Sequence, residues 1–149
     1  MTSATTGGTN VAVGDQALSA VTTSTANTAV GHNALLNNTG GNNAAFGSYA
    51  LDANTTGEEN TGIGDGALGA NTTGSKNVAV GARSLLTNST ASGNTAVGYE
   101  ALELNTTGVD NVAVGQKALD AHTTGYNCVA IGTNSLGANT TASTNVGVG

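Results

Sequence analysis

Three residues of the chain have side chains typical of nucleophiles or soft metal ligands: His32, His122 and Cys128. A catalytic or metal site needs several such groups within hydrogen-bonding or coordination distance of one another. A single cysteine forms neither an intrachain disulfide nor a thiolate cluster. The three residues occupy different positions of the repeat described below, so we expect them to lie apart. We therefore predict no catalytic residue, no cofactor and no metal site, and a chain that is not an enzyme.

Acidic residues and Asn-Thr-Thr runs suggest two further kinds of site. The nine acidic residues lack the D-x-D-x-D spacing of a calcium loop, which favours a solvated surface instead. The runs match the N-glycosylation sequon, but their recurrence is explained by the repeat. They also form columns of threonine, which raises ice binding by an ordered array of hydroxyls as an alternative function. The sequon asparagines are Asn54, Asn71, Asn105 and Asn139, together with Asn88 in an Asn-Ser-Thr run.

Tyr49, Tyr99 and Tyr126 are the residues best suited to contact a receptor. All three fall at variable positions of the repeat, which we interpret as outward. Aromatic rings at the surface combine an apolar body with a polar tip and stack on sugar rings. We predict these tyrosines as surface contacts for a host glycan or a protein receptor.

Composition excludes several other classes of function. The chain has nine acidic against three basic residues, so it lacks the basic face that binds nucleic acid. No apolar run approaches the length of a membrane span, and we expect no membrane insertion. No basic and apolar segments follow Met1, so we expect no signal peptide. An export route without one, or a natural start upstream, remains open.

The residues above are all positioned by one tandem repeat of seventeen residues. Its consensus is N-x-A-V-G-x-x-A-L-x-A-N-T-T-G-x-x, and one coil, from Asn27 to Asn42, has sixteen residues. Residues 1–149 form a single repeat region, which we expect to be part of a longer fibre. The coils begin at Asn10, Asn27, Asn43, Asn60, Asn77, Asn94, Asn111, Cys128 and Asn145.

The repeat predicts an all-β parallel solenoid with one short strand in each coil. Position five is glycine in all nine coils, which indicates positive φ or a close backbone approach at a corner. Position four is Val, Ile or Phe, and position nine is leucine from Leu18 to Leu136. We expect these two positions to form the core, with positions two and four on the inner face of the strand and the small residue at position three on the opposite face.

Stacked coils also predict ladders of identical side chains about 4.7 to 4.9 Å apart. Position twelve would form one asparagine ladder, interrupted by His122, and position one would form a second. The charged residues fall at positions six, seven, ten, sixteen and seventeen, which we therefore assign to the outer surface. The first ladder comprises Asn38, Asn54, Asn71, Asn88, Asn105 and Asn139.

The segments NVAVG, from Asn10 to Gly14, and CVAIG, from Cys128 to Gly132, resemble the NSVAIG-type repeats of trimeric autotransporter adhesin heads. The longer unit NTAVGYEALELNTTG, from Asn94 to Gly108, is similar to repeats of phage tail-fibre proteins. The resemblance covers essentially the whole chain. It implies a homotrimeric, left-handed parallel β-roll that supports attachment to a surface, although adhesin heads usually have shorter coils.

These patterns together predict a structural or adhesive fibre segment of a phage tail fibre or surface adhesin, located outside the cell or on a virion. Two alternatives remain open. The first is an ice-binding solenoid, and the second is an extracellular filament that assembles head to tail.

Overall fold

A computed structural model of the chain describes residues 7–149 as a stack of coils with nine parallel strands and no helix. The predicted all-β solenoid is confirmed for these residues; residues 1–6 of the predicted repeat region lie outside them. No helix that could cross a membrane occurs in the described part of the chain. The strands are β1 (Val11–Val13), β2 (Thr28–Val30), β3 (Ala44–Phe46), β4 (Thr61–Ile63), β5 (Val78–Val80), β6 (Thr95–Val97), β7 (Val112–Val114), β8 (Val129–Ile131) and β9 (Val146–Val148).

The strands form one sheet in chain order, with every strand paired in register to the next coil. Residue by residue, Thr95, Ala96 and Val97 of β6 pair with Val112, Ala113 and Val114 of β7. Identical repeat positions are therefore stacked along the whole rod.

Each strand ends at a glycine that no other residue could replace without strain. Gly98 has a φ of 136°, a region open almost only to glycine. A Cβ atom built on it would lie 2.5 Å from the carbonyl oxygen of Gly115 in the next coil. Both reasons predicted for glycine at position five, positive φ and a close backbone approach, thus hold at the same residue.

The sixteen-residue coil keeps the register because its missing residue belongs to an outward turn. Asn38 still aligns with Asn54, whose Nδ2 donates to its Oδ1 at 2.6 Å. Gly40 already aligns with Gly57, against whose carbonyl its Cβ would clash. The deletion therefore removes the second threonine of the run, at position fourteen, and leaves both neighbouring strands paired in register.

The core differs from the prediction at position four. Leucine at position nine is buried as expected, but it packs with the small residues of positions three and eight, all of which are buried in the central coils. Position four faces outward: Val13 is 57% exposed and Ile131 is 44% exposed. The assignment of positions two and four to the inner face was therefore wrong.

The thinness of the coil explains this reversal. A Cβ on Gly62, at position three, would lie 3.4 Å from Cδ1 of Leu51, so the leucine of one coil reaches the strand of the next. At Gly147 the corresponding distance to Cγ of Leu136 is 2.7 Å. A leucine from the opposite wall leaves room for no residue larger than alanine on the strand, and at Gly147 it would have to shift to admit even a Cβ atom. The small residue at position three faces inward for this reason.

Left-handed backbone recurs at three positions besides the corner glycine. Every leucine at position nine has a φ between 50° and 54°, and most residues at positions seven and seventeen are also left-handed. This conformation directs N–H groups along the rod: Leu102 donates to the carbonyl of Ala118 at 3.0 Å, and Lys76 donates to that of Glu58 at 3.0 Å. Inter-coil hydrogen bonds therefore offset a backbone strain of about 1 kcal/mol or more at each such residue.

Candidate functional site

The outward side of the nine strands is a regular surface that runs along the rod, and we call it the sheet face. It consists of the side chains at positions two and four, none of which is charged. In-register pairing places these side chains in two rows with a spacing of about 4.8 Å. The members are Val11, Val13, Thr28, Val30, Ala44, Phe46, Thr61, Ile63, Val78, Val80, Thr95, Val97, Val112, Val114, Val129, Ile131, Val146 and Val148.

The sheet face is uncharged and largely apolar, with threonine at position two of β2, β4 and β6. Eight steps of about 4.8 Å and strands of three residues give a strip about 38 Å long and about 10 Å wide. That area is comparable with the largest apolar patches on monomeric proteins, which often mark interaction surfaces. Because the rest of the chain is rich in polar residues and carries a net charge of −6, the strip is chemically distinct.

The asparagine ladder at position twelve is confirmed and is fully buried from Asn38 to Asn105. Asn71 donates from Nδ2 to Oδ1 of Asn54 at 2.8 Å and to the carbonyl of Gly74 at 3.0 Å. Its own Oδ1 accepts from Nδ2 of Asn88 at 3.0 Å. Each amide thus satisfies the buried carbonyl of its own turn as well as its neighbours in the ladder.

The second ladder, at position one, uses the backbone more than its own amides. Oδ1 of Asn60 accepts from the backbone N–H of Asn77 at 3.0 Å, and Nδ2 of Asn60 donates to the carbonyl of Gly74 at 2.8 Å. The two ladders therefore meet at the glycine of position fifteen. Position one of a coil also contacts position twelve of the preceding coil, since Nδ2 of Asn43 donates to Oδ1 of Asn38 at 3.3 Å.

This proximity corrects the prediction that the three soft residues lie apart. His122, at position twelve, and Cys128, at position one of the following coil, are both fully buried and occupy the two positions that are in contact at Asn38 and Asn43. His32 lies far away on the surface, where its ring contacts Tyr49 edge to face with centroids 5.2 Å apart. Sequence reasoning missed the pair because neighbouring columns cannot be identified from repeat numbers alone.

His122 interrupts the hydrogen bonding of its ladder. Neither ring nitrogen has a hydrogen-bond partner among the described residues, and Oδ1 of Asn105 in the preceding coil also lacks one. The Cys128 thiol contacts the carbonyl of Ala142 at 3.2 Å, and Nδ2 of Asn139 lies 3.8 Å from its sulfur. The turn around Gly125 is therefore the place where buried polar groups are least satisfied.

The threonines at position thirteen, which open the runs, have most of their hydroxyl donors engaged along the rod. Thr55 donates from Oγ1 to the carbonyl of Thr72 at 2.9 Å, and Thr123 donates to that of Thr140 at 2.9 Å. Such a threonine links two coils, and its hydroxyl hydrogen is not free to order water. The column at position thirteen therefore gives no support to ice binding.

Charged residues lie on the surface as predicted, with one exception, Glu100, which is only 8% exposed. Its Oε1 lies 3.5 Å from Nη1 of Arg83, and its Oε2 lies 3.2 Å from Nζ of Lys117. Arg83 also pairs with Glu103. A hydrogen bond from the Tyr99 hydroxyl, and then the contact with Lys117, lower the pKa of Glu100. The cluster links three successive coils on one side of the rod.

The three predicted contact tyrosines are exposed but are not brought together. Their exposed fractions range from 45% at Tyr99 to 51% at Tyr126. They occupy repeat positions seven, six and sixteen in different coils. A receptor that used them would have to contact the rod at separate points.

The fold and these surfaces define the class of protein: a tandem-repeat β-solenoid with an apolar sheet face and buried asparagine ladders. Comparison of the chain with protein-family models, curated proteins and solved structures found no match.

Proposed function

We propose that the chain is a structural segment of a phage tail fibre or surface adhesin, in which three copies associate through the sheet face and support attachment to a host. One observation carries this proposal, the continuous uncharged strip of valine, isoleucine, phenylalanine and threonine along β1–β9. Burial of apolar surface contributes about 25 cal/mol per Å². Because the sheet face is repeated in every coil, the binding energy between associated chains increases with each coil added.

The number of chains rests on the resemblance to trimeric adhesin heads and tail fibres. Within the coil, the inward side of the strand is already filled by leucine and alanine. Only the outward side remains for a partner. Three flat strips facing a common axis would bury positions two and four and leave the ladders, turns and charged positions at the periphery, where a receptor can reach them.

A rod with this construction suits the spacing of a binding tip from a surface. Its coils are linked by parallel strands and by hydrogen bonds in every turn. The variable positions, including those of Tyr49, Tyr99 and Tyr126, would supply contacts to a host glycan or protein. Such a role places the protein outside the cell or on the virion.

Val97→Asp tests the assembly. Val97 lies on the sheet face and its side chain is outside the core, so the variant should keep its β circular dichroism spectrum. An unpaired carboxylate in an apolar interface is costly, and we expect the variant to sediment as a monomer at concentrations where the parent is a trimer. Thr107→Asp, at an exposed turn position, is the matched control and should remain trimeric.

The parent chain itself gives the decisive measurement. A monomer across the micromolar range in sedimentation equilibrium would contradict the proposal. Growth with concentration beyond three chains would favour the head-to-tail filament instead. Thermal hysteresis in a freezing assay would favour ice binding, and we expect none.

A further inference from the structure

We propose that His122 and Cys128 form a buried two-ligand site for a soft monovalent cation of the copper(I) class. The first observation is the pairing of two exceptions. Position one is asparagine in every coil except at Cys128, and position twelve is asparagine from Asn38 to Asn139 except at His122. Both exceptions replace an amide with a softer donor, and both border the same turn.

Geometry brings the two donors to one corner. A Cβ built on Gly125 would lie 2.8 Å from Nε2 of His122 and 2.8 Å from the carbonyl oxygen of Ala142. That same oxygen lies 3.2 Å from Sγ of Cys128. At the corresponding positions of the second and third coils, Asn43 Nδ2 lies 3.3 Å from Asn38 Oδ1. By the same register, the imidazole and the sulfur occupy adjoining positions beside the backbone of Gly125 and Ala142.

His122 also lacks any structural reason to be buried. Both of its ring nitrogens are without a hydrogen-bond partner among residues 7–149. An unsatisfied buried polar group costs about 1–3 kcal/mol. Asparagine at this position would complete the ladder, as it does in the five coils between Asn38 and Asn105. A bound cation would give the imidazole the partner that the ladder does not.

Charge and ligand number select the kind of cation. Thiolate and imidazole are soft donors, of the kind that binds copper(I). No group of three or more His, Cys, Asp or Glu residues suitable for a metal occurs in the described part of the chain, so the four ligands typical of zinc are lacking. On binding, Cys128 releases its thiol proton to solvent and His122 contributes a neutral nitrogen. The thiolate and a monovalent ion then sum to zero charge, which is the least costly complex to bury.

Competition between the reduced protein and the chromogenic chelator bicinchoninate for copper(I), under anaerobic conditions, tests the site. We expect one copper(I) per chain and a rise in the melting temperature on binding. Cys128→Asn should abolish binding, and His122→Asn should weaken it about tenfold or more, since even the loss of a residue that only supports a ligand costs about that much. Both variants restore the consensus and should fold.

Two results would overturn the proposal. One is the absence of copper(I) binding by the parent chain after equilibration close to its melting temperature, where local opening gives access to the turn. The other is equal affinity of the parent and His122→Asn, which would show that the thiol acts alone. Asn105→His is the matched control, because the residue beside it at position one of the following coil is Asn111 and not a cysteine, and it should create no site.

Discussion

At the scale of single residues, the coil depends on left-handed backbone at positions where the sequence offers few glycines. Position nine is always leucine, since its side chain fills the core, and the strain there accompanies that packing. Positions seven and seventeen are exposed or half-buried in all described coils, except at Glu100, and accept many residue types. Gly66 and Gly93 occupy these two positions with φ values of 63° and 76°. Two coils thus already have glycine, which adopts this conformation without strain, at one of these positions.

Lys76→Gly should therefore stabilise the rod. Lys76 is exposed and has a φ of 61°, a conformation that glycine adopts without steric cost. Relief of strain exceeds the greater loss of chain entropy, and we expect a gain of about 0.5–1 kcal/mol in the free energy of unfolding. Lys76→Ala removes the same side chain but keeps the strain. Equal stability of the two variants in urea unfolding would contradict this account.

Glu100→Gln should lower stability at neutral pH and have no effect in acid. The pKa of Glu100 is lowered in the folded chain from 4.5, chiefly by the Tyr99 hydroxyl and then by Lys117. Its contribution is therefore fully present above pH 4.5 and is lost as the pH falls through the lower folded pKa. Thermal melts of both proteins between pH 2 and pH 7 should converge at the acid end.

Asp52→Asn provides the comparison with the opposite sign. Burial raises the pKa of Asp52 above 3.8, so its charge costs stability at neutral pH. The asparagine variant should be more stable than the parent at pH 7 and equal to it once the carboxyl group is protonated in both states. A gain that persists unchanged in acid would point to a cause other than charge.

At the scale of the coil, the ladders and the strand were predictable to different degrees. The strand bounds and the ladder at position twelve follow from recurrence alone, because stacking repeats every contact. The inward face of the strand could not be predicted in the same way, because alternation of side chains allows either positions two and four or position three to face the core. The close approach of Leu51 to Gly62 leaves space only for the small residue at position three. The proximity of His122 and Cys128 depends on how the turn folds around Gly125, for which spacing along the chain carries no signal.

Asn71→Ala should be among the most damaging changes outside the leucine core. It breaks three buried hydrogen bonds and leaves Oδ1 of Asn54 and one N–H of the Asn88 amide without a partner, while the carbonyl of Gly74 keeps its bond from Asn60. Unsatisfied groups of this kind cost about 1–3 kcal/mol each. We expect a loss of about 3 kcal/mol or more in urea unfolding, within the usual range for breaking a buried network.

Asn37→Ala is the matched control for the ladder. Asn37 also donates between coils, from Nδ2 to the carbonyl of Asp52 at 2.9 Å, but it is exposed. Water replaces its hydrogen bond, so the loss should be about 0.5 kcal/mol or less. Similar losses for the two variants would mean that burial of the ladder does not determine its importance.

At the scale of the whole molecule, each coil contacts mainly its neighbours, and stability is close to a sum over coils. Deletion of residues 77–93, one full repeat, joins Lys76 to Asn94 in the register that Lys76 and Asn77 already have. We expect a folded rod that is shorter by about 4.8 Å and modestly less stable. Deletion of residues 77–84 alone removes a strand and its corner and should prevent folding of that region, as judged by circular dichroism and limited proteolysis.

The in-register stacking of the coils, which holds even across the coil of sixteen residues, has a genetic consequence. Because every strand aligns with the same positions of the next coil, unequal recombination between repeats yields chains that differ in length by whole coils and still satisfy every neighbour. The length of the rod can then differ between inherited variants in small equal steps, while its cross-section and the surface that faces partners stay constant. A population of such genes would carry length variants as ordinary alleles, each one a working rod.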